Sequence, residues 1–214
     1  MSVLNQMQSS SPKEQENRFA AFANSLPVSA PLPETEREVD AVSKYYLNGS
    51  IFKRSSATEA KFKESAPQSS QIHLAVHGEI NSADPFVSAL LLAPTSREDG
   101  RLSIAEILDL NLPKSLVVLS SCDTSSGQVA NGEGLLSLSW AFLAAGASDV
   151  VAAQWAVEEK ATANLMINFY RALNKNSKST SSALREAQLE SLKSAAPYNH
   201  PFYWSAFVVI GKSD

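Results

Sequence analysis

The chain has 214 residues, 44% hydrophobic and 19% charged, a composition that builds a core and excludes disorder for the bulk of the chain. Eighteen Lys and Arg against 22 Asp and Glu give a net charge of −4 without a basic run, which argues against a nucleic-acid partner, because neutralising a phosphate backbone needs a positive surface. No apolar stretch reaches the ~18 residues of a membrane span, the N-terminus lacks a secretory pattern, and one cysteine makes no internal disulfide, so a reducing, cytoplasmic setting is expected.

In chain order, residues 1–17 are polar and rich in Ser and Gln, and are expected to be a flexible tail or linker remnant ahead of a single domain over 18–214. The apolar run 19–23 predicts a first strand, followed by a proline-punctuated turn over 27–33. Three S/T-x-x-E pairs, Thr35 with Glu38, Ser56 with Glu59 and Ser103 with Glu106, predict helix starts of the capping-box kind, in which hydroxyl and carboxylate each satisfy an orphan backbone N–H. The first helix would carry Val39, Val42 and Tyr46 on one side, the second Ala60 and Phe62, the third Ile104, Ile107 and Leu108.

Short apolar runs at 51–52, 72–76, 89–92, 116–119, 150–153 and 207–210 predict further strands. Leu116-Val117-Val118-Leu119 is apolar at consecutive positions, the mark of a strand covered on both faces. Longer helices are predicted over 133–145 (apolar nearly all round, hence buried), 159–173 and 183–192. Strands alternating with helices give an α/β fold in three layers with a mostly parallel central sheet of about six strands.

In such sheets reactive groups gather beyond the carboxyl ends of the strands. Two strands end in suggestive residues: one runs into His77-Gly78-Glu79, the other into Ser120-Ser121-Cys122-Asp123. A thiol with its ordinary pKa of ~8.5 is mostly protonated at neutral pH, and an adjacent imidazole can take its proton. Backbone N–H groups of Gly78 and Cys122 could receive the oxyanion that follows. A lone strand-end cysteine is nevertheless often a small core hydrophobe, and a lone histidine is often structural, so the residues alone leave both readings open. His73 and His200 read as structural. No His/Cys/Asp cluster has metal-ligand spacing. Neither a phosphate-loop motif nor G-x-S-x-G is present.

His77-Gly78 and Ser121-Cys122 after apolar strands, 45 residues apart between His and Cys, resemble the caspase-like cysteine peptidases, where the gap is ~50. His73-Leu74-Ala75-Val76-His77-Gly78, Leu119-Ser120-Ser121-Cys122-Asp123-Thr124, Gly132-Glu133-Gly134, Phe142-Leu143-Ala144-Ala145-Gly146-Ala147, Gln154-Trp155-Ala156-Val157, Ala183-Leu184-Arg185-Glu186-Ala187-Gln188 and His200-Pro201-Phe202-Tyr203-Trp204 narrow this to a resemblance to CHAT domains, caspase-related domains often found after tetratricopeptide repeats. The resemblance spans about Pro31 to Gly211 and implies a cysteine endopeptidase with His77 as base and acid, Cys122 as nucleophile, and Gly78 and Cys122 amides as the oxyanion hole. It also implies a substrate pocket near Trp155, Glu158 and Glu159, where acidic groups together with Asp123 would favour a basic residue before the scissile bond; the competing reading is that Glu158 and Glu159 only start a helix. Neither metal nor cofactor is expected. The expected partners are a protein or peptide substrate and a regulatory protein or upstream repeat module, with no nucleic acid and no membrane. The alternative is a non-catalytic interaction module on the same fold.

Overall fold

The computed structural model describes residues 18–24, 31–81, 84–112, 114–120, 133–175 and 179–212. In chain order the elements are β1 (Phe19–Ala23), α1 (Pro33–Val42), β2 (Gly49–Lys53), α2 (Glu59–Ser65), β3 (Gln71–Ala75), β4 (Gly78–Glu79), β5 (Ala89–Leu91), β6 (Arg101–Ser103), α3 (Ile104–Leu108), β7 (Leu116–Leu119), α4 (Glu133–Ala144), β8 (Asp149–Ala153), α5 (Glu159–Lys175), α6 (Thr180–Leu192), α7 (Pro201–Trp204) and β9 (Phe207–Gly211).

Six strands form the central sheet in the order β2-β1-β3-β7-β8-β9. The first five are parallel, and β9 runs antiparallel to β8. Strand alternation divides the core in two. Ile72, Leu74, Val117, Leu119, Val150 and Ala152 face one side, where Phe62 of α2, Ile104 and Ile107 of α3, and Leu138 and Phe142 of α4 cover them. Ala75, Val118, Val151 and Ala153 face the other, against Val39 and Val42 of α1, Leu165, Met166 and Phe169 of α5, and Ala183 and Ala187 of α6. This is the predicted three-layer architecture. Each fully buried Phe or Leu contributes about 1.5–3 kcal/mol, which is why continuous apolar runs were legible as central strands.

A second sheet, β4-β5-β6, is antiparallel and extends from the carboxyl end of β3. It takes in the run at 89–92, and its other two strands carry no apolar signature, being two and three residues long.

Of the three predicted capping boxes, one forms: Ser103 accepts from the Glu106 amide at 3.3 Å while Glu106 accepts from the Ser103 amide at 2.9 Å. The other two do not. Thr35 lies inside α1, which starts with Pro33 at its first turn, and its hydroxyl donates to the Leu32 carbonyl at 2.6 Å, while Glu38 turns into the core. Helix α2 is capped by Thr58, which accepts from the Lys61 amide at 3.2 Å; Ser56 instead accepts from the Lys53 amide at 2.9 Å, and Glu59 is buried. In both cases the carboxylate is itself buried, Glu38 beside His73 and Glu59 beside Lys63, instead of reaching back to the cap. Helix α4 is also less enclosed than expected, with Leu136 40% and Trp140 63% exposed.

Helix α4 ends at a built corner. Gly146 has φ +110°, and a Cβ there would lie 2.5 Å from the Leu112 carbonyl oxygen. Only glycine adopts this conformation cheaply. Its carbonyl accepts from the Lys114 amide at 2.9 Å and that of Ala145 from the Leu112 amide at 2.7 Å, fixing the segment that feeds β7.

Candidate active site

Every paired residue of β7 stands 45 positions after its partner in β3, from Gln71↔Leu116 to Leu74↔Leu119. Cys122 stands 45 positions after His77. In sequence, each of the two thus stands three residues after the last paired position of adjacent parallel strands. Cys122 and Asp123 themselves lie outside the described residues, as do Ser121, Thr124 and Gly132.

His77 is buried, with 2% of its surface exposed. Its carbonyl accepts from the Leu91 amide at 2.8 Å, so it is tied to β5. Hydrogen-bonded and non-hydrogen-bonded pairs alternate in an antiparallel ladder. Since His77/Leu91 is a bonded pair, the next pair, Gly78↔Leu90, is not, and the Gly78 amide is turned away from β5. A Cβ on Gly78 would meet Ile80, Leu90 and the Ala89 carbonyl at 3.8–4.0 Å, ordinary contact distances. Packing among the described residues does not require glycine here, so any demand for it comes from something that approaches the backbone.

β8 lies beside β7 and is parallel to it, which brings Trp155, Glu158 and Glu159 to the same edge of the sheet as His77 and the exit of β7. Trp155 is half-buried, and its Nε1 donates to the Phe202 carbonyl at 3.0 Å. Glu158 is exposed; its carbonyl accepts the Thr162 amide of α5 at 3.0 Å and its carboxylate accepts from the Tyr198 hydroxyl at 3.3 Å. Glu159 opens α5 and accepts the Glu34 amide of α1 at 3.3 Å. Both carboxylates therefore have structural work at helix starts, where negative charge is favourable.

His200 is structural as predicted: its Nδ1 accepts the Phe202 amide at 3.2 Å and caps α7. The segment 183–188 also finds its purpose in packing, since Gln188 donates to the carbonyls of Trp204 and Phe207 at 3.3 and 3.0 Å, anchoring the start of β9. His73 is buried and hydrogen-bonded, again as expected.

Two polar clusters escaped the sequence reading. Around His73 gather Glu38, Ser120 and Tyr170, all buried. Glu38 was visible in principle, as an acidic residue on the apolar stripe Thr35, Val39, Val42 of α1. In the second cluster the Lys63 ammonium lies 2.7 Å from Glu59, 2.9 Å from Glu106 and 3.1 Å from Glu98. Burial alone would lower the Lys63 pKa, but these carboxylates raise it above its ordinary value. Burial alone would raise Glu106, yet the hydroxyl and amide of Ser103 and the Lys63 ammonium hold it down at about 2. The carboxylates that could otherwise group around a metal ion thus converge on an ammonium.

The six-stranded, mostly parallel sheet between two layers of helices is a fold of the caspase-like kind. Among solved structures, the chain is similar to the Arg-specific cysteine proteinase gingipain R, with TM-score 0.65 and 9% identity over 94% of this chain and 47% of that one. It is likewise similar to separase in the Saccharomyces cerevisiae separase–securin complex, with TM-score 0.59 and 12% identity over 92% of this chain and 12% of that one. The CHAT domain family model matches residues 2–212, and the chain belongs to that family. Over 110 residues it is 39% identical to tetratricopeptide repeat protein 28 of Homo sapiens and 40% identical to that of Mus musculus, covering 51% of this chain and 4% of either relative. The chain thus spans a small fraction of the curated relatives it matches. No helix among the described residues is long and apolar enough to cross a membrane.

Proposed function

We propose that this chain is a cysteine-type endopeptidase acting on protein substrates through Cys122 and His77. The observation that carries the reading is the shared offset of 45 between the β3–β7 register and the His77–Cys122 separation. Neighbouring strands lie about 4.8 Å apart, so equivalent points on them are within reach of long side chains.

In the chemistry proposed, His77 removes the thiol proton and the Cys122 thiolate attacks the scissile carbonyl carbon. The amides of Gly78 and Cys122 hold the resulting oxyanion, a role supported for Gly78 by an N–H turned away from its ladder. Collapse expels the amine, which takes the proton from His77 and leaves a thioester on Cys122. His77 then deprotonates a water that attacks the thioester, and the proton returns to the departing thiolate. The scheme uses neither metal nor organic cofactor. Asp123, Glu158, Glu159 and Trp155 form the pocket for a basic side chain before the cleaved bond. The relatives are repeat proteins by name, which supports a repeat module or separate regulatory protein as the controlling partner.

The burial of His77 favours a second reading, an interaction module that keeps the fold without turnover. Two measurements decide. Cys122→Ala abolishes cleavage of a peptide library while preserving the circular-dichroism spectrum; unchanged turnover by that variant overturns the peptidase. A peptidyl acyloxymethyl ketone labels the wild-type chain far faster than His77→Ala, whereas equal labelling favours the interaction module.

A further inference from the structure

Beneath the candidate site, on the face of the sheet covered by α1 and α5, polar side chains meet in an otherwise apolar layer. Nε2 of His73 lies 2.8 Å from Oε1 of Glu38 and 3.3 Å from Oγ of Ser120, and its Nδ1 lies 3.1 Å from the hydroxyl of Tyr170. All four residues are buried. Burial holds the Tyr170 hydroxyl well above its ordinary pKa, so it keeps its proton and can donate to Nδ1. Assigned from the Tyr170 donation to Nδ1, the ring hydrogen sits on Nε2, the nitrogen nearer Glu38 and Ser120.

Removing a carboxylate and an imidazole from water is costly, and a well-packed apolar set in their place would often be as stable or more so. Stability alone therefore does not account for the cluster, but its location does. His73, on β3, precedes His77 by four residues, and Ser120 precedes Cys122 by two. Ser120 is fastened to β3 twice, by its amide to the Leu74 carbonyl at 3.1 Å and by its hydroxyl to His73. The His73 ring is in turn held at both nitrogens by side chains of α1 and α5. Tilting that ring would break the side-chain half of this fastening where the main chain leaves β7.

We infer that Glu38, His73, Ser120 and Tyr170 are positioning residues for the peptidase pair, fixing the exit of β7 against the exit of β3. None of them touches substrate, and the inference rests on the reading of His77 and Cys122 as the reacting pair. Small displacements of a reacting group cost rate rather than binding, so the expected signature lies in kcat.

The test uses the full chain with Ser120→Ala and, as a second small change, Tyr170→Phe. Because the chain has one cysteine, iodoacetamide alkylation reports on Cys122 alone. Wild type should alkylate faster than His77→Ala; equality of those two removes the peptidase reading and this inference with it. Given that difference, Ser120→Ala and Tyr170→Phe should fold, keep KM within about twofold, and lower kcat about 10- to 100-fold, as groups that orient a reactive site do. Their alkylation pH profiles should move toward that of a free thiol. Variants that melt earlier yet keep wild-type kcat and alkylation profile would show that the cluster serves packing only, and the inference falls while the peptidase reading stands.

Discussion

The amide of Leu91 donates to the carbonyl of His77 at 2.8 Å, fastening the exit of β3 to the second sheet. That one bond fixes the phase of the β4–β5 ladder and hence the direction of the next amide, that of Gly78. The small sheet thus orients backbone at the exit of β3, while Leu90 and Leu102 on its strands are buried in the core.

Gly78→Ala is the direct check on that role. With neighbours at 3.8–4.0 Å, the added methyl fits the fold, and the melting temperature should stay near that of wild type. A substrate carbonyl brought against the amide would meet the methyl, and kcat/KM should fall about 10- to 100-fold. Undiminished cleavage would take Gly78 out of the oxyanion hole.

The acidic residues at the end of β8 are separable by charge. Glu158→Gln/Glu159→Gln keeps acceptor oxygens for Tyr198 and for the Glu34 amide, so stability should change little. A charge-assisted hydrogen bond is worth about 1.5–3 kcal/mol, so the preference for Arg over a neutral residue before the cleaved bond should drop about tenfold or more. A preference that survives the double substitution assigns both glutamates to the helix starts alone.

Lys63→Met leaves Glu59 buried without its ammonium. Breaking such a pair on one side costs about 3 kcal/mol, or about 6–12 °C of melting temperature for a domain of this size. Differential scanning calorimetry at neutral pH reads this directly, and a loss below 2 °C would mean that the cluster is worth no more than a surface pair.

The same cluster sets a pH dependence. Glu106 is held at about 2, below its ordinary value of 4.5, so its contribution to stability is complete above 4.5 and fades as pH falls toward 2. Burial pushes Glu59 the opposite way, so the comparison to make is wild type against Glu106→Gln. The stability difference between them should shrink steadily from pH 5 to pH 2.5; a constant difference in urea titrations across that range would contradict the assignment.

Gly146→Ala tests the corner that feeds β7. Positive φ and a Cβ 2.5 Å from a carbonyl oxygen leave the methyl no room. Destabilisation of about 1–3 kcal/mol is expected, measured as a lower urea midpoint at unchanged slope.

The apolar runs of β1, β3, β7 and β8 were readable because burial on both faces leaves a continuous apolar signature, and the separation of His77 from Cys122 was already in the chain as a number. That the number equals a strand register could be learned only from the folded sheet, because register depends on which strands pair. β4 and β6 were not legible, since strands of two or three residues owe their existence to their partners. Glu38 and Glu59 followed a local capping pattern in sequence and departed from it in the fold: Glu38 turns to His73 of β3, and Glu59, beside Lys63 of its own helix, accepts the distant Gly100 amide at 2.9 Å. The chain by itself thus fixed the layers and the two candidate exits; tertiary structure decided the pairing of Glu38 with His73 and the direction of the Gly78 amide, because both depend on groups distant in sequence.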